Sequence, residues 1–348
     1  MTNDIKQNIE SAINPLTKLN LKSVVELTQV DDLLVKLRFP ITGYEQQLRA
    51  SILNQIDEDE CKVESIIRSH KHKKEIDPIK GVKNIIAIAS GKGGVGKSTV
   101  TVMLAKSLQK LGAKVAILDA DIYGPSMPRM LGDHGKPGSP DNKSFIPVNA
   151  DGIQSMSLGY MIDEESPAIW RGSMITRALM QMVEETHWSE VDYLLIDLPP
   201  GTGDIQLTMV QKIPVTATVI VTTPQDISMI DAQKAFKMFE KVEIPVLGVI
   251  ENMSVYHCPN CGYESHIFGQ GAADKMLEKF GTNLLGQLPL NIEIRQEMDK
   301  GAPDKLWGTG SEISDKGMII AMKIAQLLAK LPVNINLNAP ELKLHNIG

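Results

Sequence analysis

Residues 91–99 read Gly91, Lys92, Gly93, Gly94, Val95, Gly96, Lys97, Ser98 and Thr99. Residues of these types at this spacing can hold a nucleotide phosphate. The glycines let backbone N–H groups curl around anionic oxygens, Lys97 reaches the terminal phosphates, and the Ser98 hydroxyl can ligate Mg²⁺. Lys92 is surplus to such a loop. On the loop's outer side it points away from its own nucleotide, which predicts use across a dimer in the manner of an arginine finger.

Two further segments carry carboxylates. One ends in Asp119-Ala-Asp121, the other runs from Asp197 through Pro-Pro-Gly201 to Asp204. Phosphoryl transfer needs Mg²⁺ held by the loop hydroxyl and a carboxylate, with a group to orient the attacking water. Asp197 suits the metal shell and Asp121 the water. The Gly201 N–H can sense the γ-phosphate, making 197–204 a switch segment. Asp119 and Asp204 stand open between the site and an ordinary cap or surface role.

Cys258-Pro-Asn-Cys261 is the remaining chemistry. Two thiolates at this spacing can chelate one metal centre, but zinc and iron-sulfur clusters usually take four soft ligands, and the third cysteine, Cys61, is far away. Two subunits related by a two-fold axis would supply four thiolates to one shared centre, the same dimer that Lys92 requires. Other readings stay open: His257 and His266 completing a site in one chain, a four-cysteine zinc joint, a redox pair, or two free thiols.

The elements that must position these residues are legible as an alternation. Strands are expected at 84–90, 114–119, 192–197, 216–222, 245–250 and 283–287, with helices between most of them. A helix over 97–111, stopped by Gly112, leaves the phosphate loop, so the anion meets a helix N-terminus. The fold class is α/β, a doubly wound and mostly parallel sheet, which binds ligands beyond the carboxyl ends of its strands. Residues 1–68 read as a small α+β domain, with apolar runs at 24–27 and 33–39 and a helix at 46–56. Residues 69–83 read as a linker, 84–331 as the nucleotide-binding domain, and 332–348 as an irregular tail. The helix over 314–331 has a broad apolar face that suits core packing.

Composition narrows the partners. A net charge of -6 over 348 residues, with no long basic block, excludes nucleic acid as the main partner. No apolar run is long enough to span a bilayer and the N-terminus lacks a signal peptide's layout, so no membrane role and a cytoplasmic location are expected. The seventeen methionines read as core gap fillers and Cys61 as a structural thiol.

Taken together, the chain resembles the Mrp/ApbC family of iron-sulfur cluster carriers, deviant P-loop ATPases of the MinD/ParA group. The resemblance spans 84–331. It rests on the loop at 91–99, Leu-Asp-Ala-Asp-Ile-Tyr-Gly-Pro-Ser-Met-Pro (118–128), Trp-Arg-Gly (170–172), Asp-Leu-Pro-Pro-Gly-Thr-Gly-Asp (197–204), Thr-Thr-Pro-Gln-Asp (222–226), Glu-Asn-Met-Ser (251–254) and Cys-Pro-Asn-Cys-Gly (258–262). It implies a homodimer with ATP and Mg²⁺ at each loop and a [4Fe-4S] cluster between paired Cys258 and Cys261. Its partners would be cluster scaffold proteins and apo iron-sulfur proteins. Lys92 would act across the interface, Lys97 and Asp121 in catalysis, Ser98 and Asp197 on Mg²⁺, and Asn252 at the adenine. Residues 1–68 resemble the small domain that accompanies iron-sulfur assembly factors. There Ile13-Asn14-Pro15-Leu16 departs from the usual Asp-Pro-Glu motif, and Ser173 replaces a common proline after Trp-Arg-Gly. Two other function classes fit the loop: a spatial regulator that dimerises on ATP, and a reductase that couples ATP to electron transfer.

Overall fold

A computed structural model describes residues 2–29, 33–58, 60–72, 76–122, 124–161, 172–307 and 311–338. Trp170 and Arg171 of the Trp-Arg-Gly motif lie outside these, as does the tail from 339. The chain begins with α1 (Thr2–Ser11), β1 (Val25–Gln29), β2 (Leu33–Leu37), α2 (Glu45–Leu53) and β3 (Lys62–Ser65). β1 and β2 pair antiparallel and β3 joins β2 in parallel. The remainder comprises β4 (Val82–Ser90), α3 (Lys97–Lys110), β5 (Val115–Asp119), α4 (Met127–Leu131), β6 (Val148–Ala150), β7 (Ile153–Ser157), α5 (Gly172–Glu184), β8 (Val191–Asp197), α6 (Asp204–Lys212), β9 (Ala217–Thr222) and α7 (Asp226–Lys241). Then follow β10 (Val246–Glu251), β11 (Tyr256–His257), β12 (Glu264–Ser265), α8 (Ala272–Phe280), β13 (Leu284–Gln287), α9 (Ile292–Asp299), α10 (Glu312–Ala329) and α11 (Ile335–Asn338).

The main sheet has eight strands in the order β13-β10-β9-β4-β8-β5-β7-β6. Every neighbouring pair is parallel except β6 with β7. The apolar runs dictate this. In β4, Ile86 and Ile88 face one core while Ile85, Ala87 and Ala89 face another, because successive side chains leave opposite faces. A strand apolar on both faces needs helices on both sides, which parallel crossovers supply.

All six expected strands are present. The hairpin β6–β7 beyond β5 was not expected. Its strands are short and polar-interrupted, and its signal is the Asp151-Gly152 turn, with φ of 48° and 81°, the pairing that a type I′ hairpin turn prefers. Gly112 ends α3 as expected: at φ 95° its N–H returns to Gln109 O. The expected core helix is α10. It starts at Ser311, whose hydroxyl accepts from the Ser314 N–H, and it buries Ile313, Ile320, Ile324 and Leu328. Each such side chain contributes about 1.5–3 kcal/mol on burial. Residues 332–338, expected to be irregular, instead bridge His70 through Val333 and end in α11.

The small N-terminal unit sits on α3 and α10. Ile9, Leu21, Phe39, Leu48 and Ile52 belong to the same buried cluster as Val102, Ile324 and Leu328. At the junction Gln326 is fully buried. Its Oε1 accepts from Asn14 Nδ2 at 3.1 Å and Thr17 Oγ1 at 2.6 Å, and its Nε2 donates to Asn20 O at 2.9 Å. Asn14, at the departure from the Asp-Pro-Glu motif, thus has a packing role. Burying such a group costs little only when its bonds are made.

Candidate functional site

β4, β5, β8 and β10 all run in one direction, and their carboxyl ends carry the phosphate loop, Asp119, Asp197 and Asn252. Register puts Asp119 opposite Asp197. The loop turns into α3 through Gly96, left-handed at φ 80°. A Cβ on Gly96 would lie 2.3 Å from Asn252 Nδ2, so both the backbone angle and the close approach require glycine.

Asp197 is the centre of the site. It is fully buried and lies 2.8 Å from Lys97 Nζ, accepts from Ser98 Oγ at 2.5 Å, and accepts from Thr101 Oγ1 at 2.8 Å. The Lys97 ammonium is buried with no aligned hydrogen bond, so its donors are available to an incoming phosphate. A serine hydroxyl beside a carboxylate is an oxygen set that suits a hard divalent cation. Lys92, Gly93, Asp121, Ser126 and Pro200 help to line a cavity of about 220 Å³ over the loop. The residues present therefore fit a nucleotide phosphate and its Mg²⁺.

Asp119 is buried too. Its Oδ2 accepts from the backbone N–H groups of Ser126 and Met127 and from Ser157 Oγ, and its Oδ1 accepts from Asp121 N. Burial, with the Asp197 carboxylate alongside, pushes its carboxyl up to about 7 despite those donors. Asp119 thus shapes the loop that carries Asp121 and caps α4 from a distance. Asp204 opens α6 and is exposed.

Three placements refine the expectations. Lys92 Nζ donates to Gln225 Oε1 of its own chain at 2.8 Å. The Gly201 N–H donates to Ser90 O at 3.0 Å, with Gly201 at φ 95°. Asn252 Nδ2 donates to Val95 O at 2.9 Å, fastening the end of β10 to the phosphate loop. Thr101 and Gln225 escaped the sequence reading. Thr101 lies one helical turn after Lys97, a spacing that could have found it; Gln225 stands inside a motif already quoted.

The cysteine pair, expected on a loop, sits at the tip of the β11–β12 hairpin. Cys258 N donates to Tyr263 O at 3.0 Å, and Gly262 N, at φ 70°, donates to Cys258 O at 2.8 Å. Cys258 is half-buried and Cys261 exposed. Hydrogen bonds from the backbone N–H of Asn260, then of Cys261, hold the Cys258 thiol below its usual range. Among the described residues no three His, Cys, Asp or Glu side chains form a metal-holding group. His257 Nδ1 lies 3.5 Å from Glu264 Oε1 and His266 Nδ1 lies 2.9 Å from Ser254 O.

The chain is similar to known proteins. The family model described as "ParA: NUBPL iron-transfer P-loop NTPase" matches residues 81–325. The chain is 47% identical over 328 residues to the iron-sulfur cluster carrier protein of Escherichia coli (strain K12), covering 90% of this chain and 89% of that protein. It is 42% identical over 257 residues to the iron-sulfur cluster transfer protein NUBPL of Mus musculus, covering 73% and 81% respectively. A nucleotide-binding protein from Archaeoglobus fulgidus, solved in complex with ADP, superposes with a TM-score of 0.58 at 38% identity over 65% of this chain and 89% of that one. The cell division ATPase MinD of Pyrococcus furiosus shares the fold, with a TM-score of 0.51 at 21% identity over 69% of this chain and 98% of that one. The chain belongs to the NUBPL iron-transfer P-loop NTPase family, the Mrp/ApbC group that its motifs resemble.

Proposed function

We propose that this chain is a homodimeric carrier that binds a [4Fe-4S] cluster as cargo and passes it to apo-proteins, under the control of ATP binding and hydrolysis. The observation that carries the reading is one of connection. Asn252 holds the phosphate loop, and the exposed cysteine hairpin starts a few residues further along the same segment. One chain offers two thiols and a cluster takes four, so the cargo sits on the two-fold axis. A reducing compartment such as the cytoplasm suits two free thiols.

At the nucleotide, Lys97 turns its buried ammonium to the phosphates, and Ser98 and Asp197 would hold Mg²⁺. When bound, Mg²⁺ neutralises charge on the β- and γ-phosphate oxygens. Asp121 orients water, whose oxygen attacks the γ-phosphorus as the bond to the bridging oxygen of ADP breaks; the proton that the water loses ends on an oxygen of the inorganic phosphate, and ADP and phosphate leave. Gly201 exchanges Ser90 O for the γ-phosphate, Asn252 contacts the adenine, and Lys92 leaves Gln225 to reach the partner's nucleotide.

Anaerobic reconstitution with iron and sulfide tests the reading. A brown dimer with one cluster per two chains is expected, and Cys258→Ala or Cys261→Ala should abolish it. A colourless dimer that retains one zinc ion would replace the carrier with a zinc-joined ATPase.

A further inference from the structure

The hairpin that presents the cysteines is too short to hold itself. Its ladder consists of Tyr256 with Ser265 and His257 with Glu264, and an isolated two-stranded hairpin is marginal in water even when longer. Turn hydrogen bonds stiffen its tip, yet among the described residues none links residues 258–263 to the sheet. That task falls to its base.

At the base, His266 Nδ1 lies 2.9 Å from Ser254 O. A carbonyl oxygen only accepts, so Nδ1 carries the proton and donates. Ser254 is itself fixed to the segment after β13: its N–H donates to Leu288 O at 2.9 Å and its hydroxyl to the same oxygen at 3.1 Å. Next to it, Val255 O accepts from Leu290 N at 2.8 Å. The incoming strap of the hairpin is thus anchored, and His266, immediately after β12, ties the outgoing end to it.

We propose that His266 is the positioning residue of the cysteine hairpin, closing its base on Ser254 so that Cys258 and Cys261 are held in one orientation for the cargo. This role rests on the carrier reading. The role uses Nδ1 alone, which is committed to Ser254 O, and does not require His266 to be a ligand. The tie spans the two ends of the hairpin and contacts neither the phosphate loop nor the nucleotide cavity, so its loss should act on cargo retention without acting on ATP.

Full-length chains carrying His266→Leu, which has no donor, and His266→Asn, whose amide nitrogen can stand where Nδ1 stands, test the proposal. Two measurements apply: amide exchange at Cys258 and Gly262 in the cluster-free protein, and the rate at which reconstituted protein loses iron to a ferrous chelator. Loss of one net hydrogen bond shifts an open-closed equilibrium roughly five-fold. His266→Leu should therefore raise both rates about five-fold, His266→Asn should restore them, and exchange in β4 should stay unchanged. Wild-type rates in His266→Leu overturn the proposal. So does equal behaviour of the two variants, or faster exchange at Cys258 without faster iron loss. Lost protection in β4 as well overturns it in favour of a general structural role. If the wild-type chain takes up no cluster, the carrier reading fails, and amide exchange still decides whether His266 holds the hairpin.

Discussion

Gly96→Ala is the most informative perturbation of the nucleotide site, because two separate costs can be worked from the structure. At φ 80° an alanine stands in the left-handed region, which costs roughly 1–2 kcal/mol. Its Cβ would also lie 2.3 Å from Asn252 Nδ2, so the amide must leave Val95 O, at about 1 kcal/mol for the lost hydrogen bond. Together that is about 2–3 kcal/mol, or on the order of 30- to 150-fold in the balance between the native loop and a relaxed one. Gly94 separates the two costs. Its φ is 78° and no atom lies within 4 Å of its Cβ position, so alanine there carries the backbone cost alone, roughly ten-fold. Gly93 is the control, since its Cβ would meet only Pro200 Cγ, at 4.0 Å. Urea melts and ATP titrations of the three variants should rank them Gly96→Ala worst, then Gly94→Ala, with Gly93→Ala melting like wild type. A Gly96→Ala protein that binds ATP within about three-fold of wild type, or melts together with Gly93→Ala, would refute both the strain and the Asn252 contact, since ~2 kcal/mol cannot hide in that margin.

Further outcomes are expected. Lys92→Ala should leave cluster content and ATP affinity near wild type while slowing ATP turnover about 1,000-fold or more, the scale of a finger supplied in trans, with cluster transfer slowed too; single-turnover kinetics on the reconstituted dimer reads both. The pH dependence of the nucleotide-free protein should carry the mark of Asp119. Its carboxyl is raised to about 7 in the fold and titrates near ~4 when unfolded. The folded chain thus holds an extra proton across that window, and the stabilisation it brings is complete below about pH 4 and lost as pH rises through about 7. Urea midpoints measured from about pH 5 to 8 should fall more steeply for wild type than for Asp119→Asn.

The parallel sheet was legible because its central strands are apolar on both faces, a pattern that a half-exposed strand does not produce. The site was legible for a related reason: glycines, a lysine and strand-end aspartates are placed by local chain geometry, which the sequence writes directly. What escaped was the partner of each group. Lys92 meets Gln225 across a long sequence separation, and no local period announces it. The β6–β7 hairpin escaped because its strands are short and polar-interrupted, leaving only the Asp151-Gly152 turn to mark it. His266 was visible as a possible ligand, but its commitment to Ser254 appears only once the hairpin folds back on itself.

The interior that the N-terminal unit shares with α3 and α10 has a consequence for how the molecule comes apart. Phe39, Leu48 and Ile52 lie in the same cluster as Ile324 and Leu328, with the Gln326 amide bonded across the seam. Neither side of that seam can be opened without wetting the other, so heat should be taken up in one cooperative step. Scission after residue 68 would yield two sticky halves instead of two independent proteins.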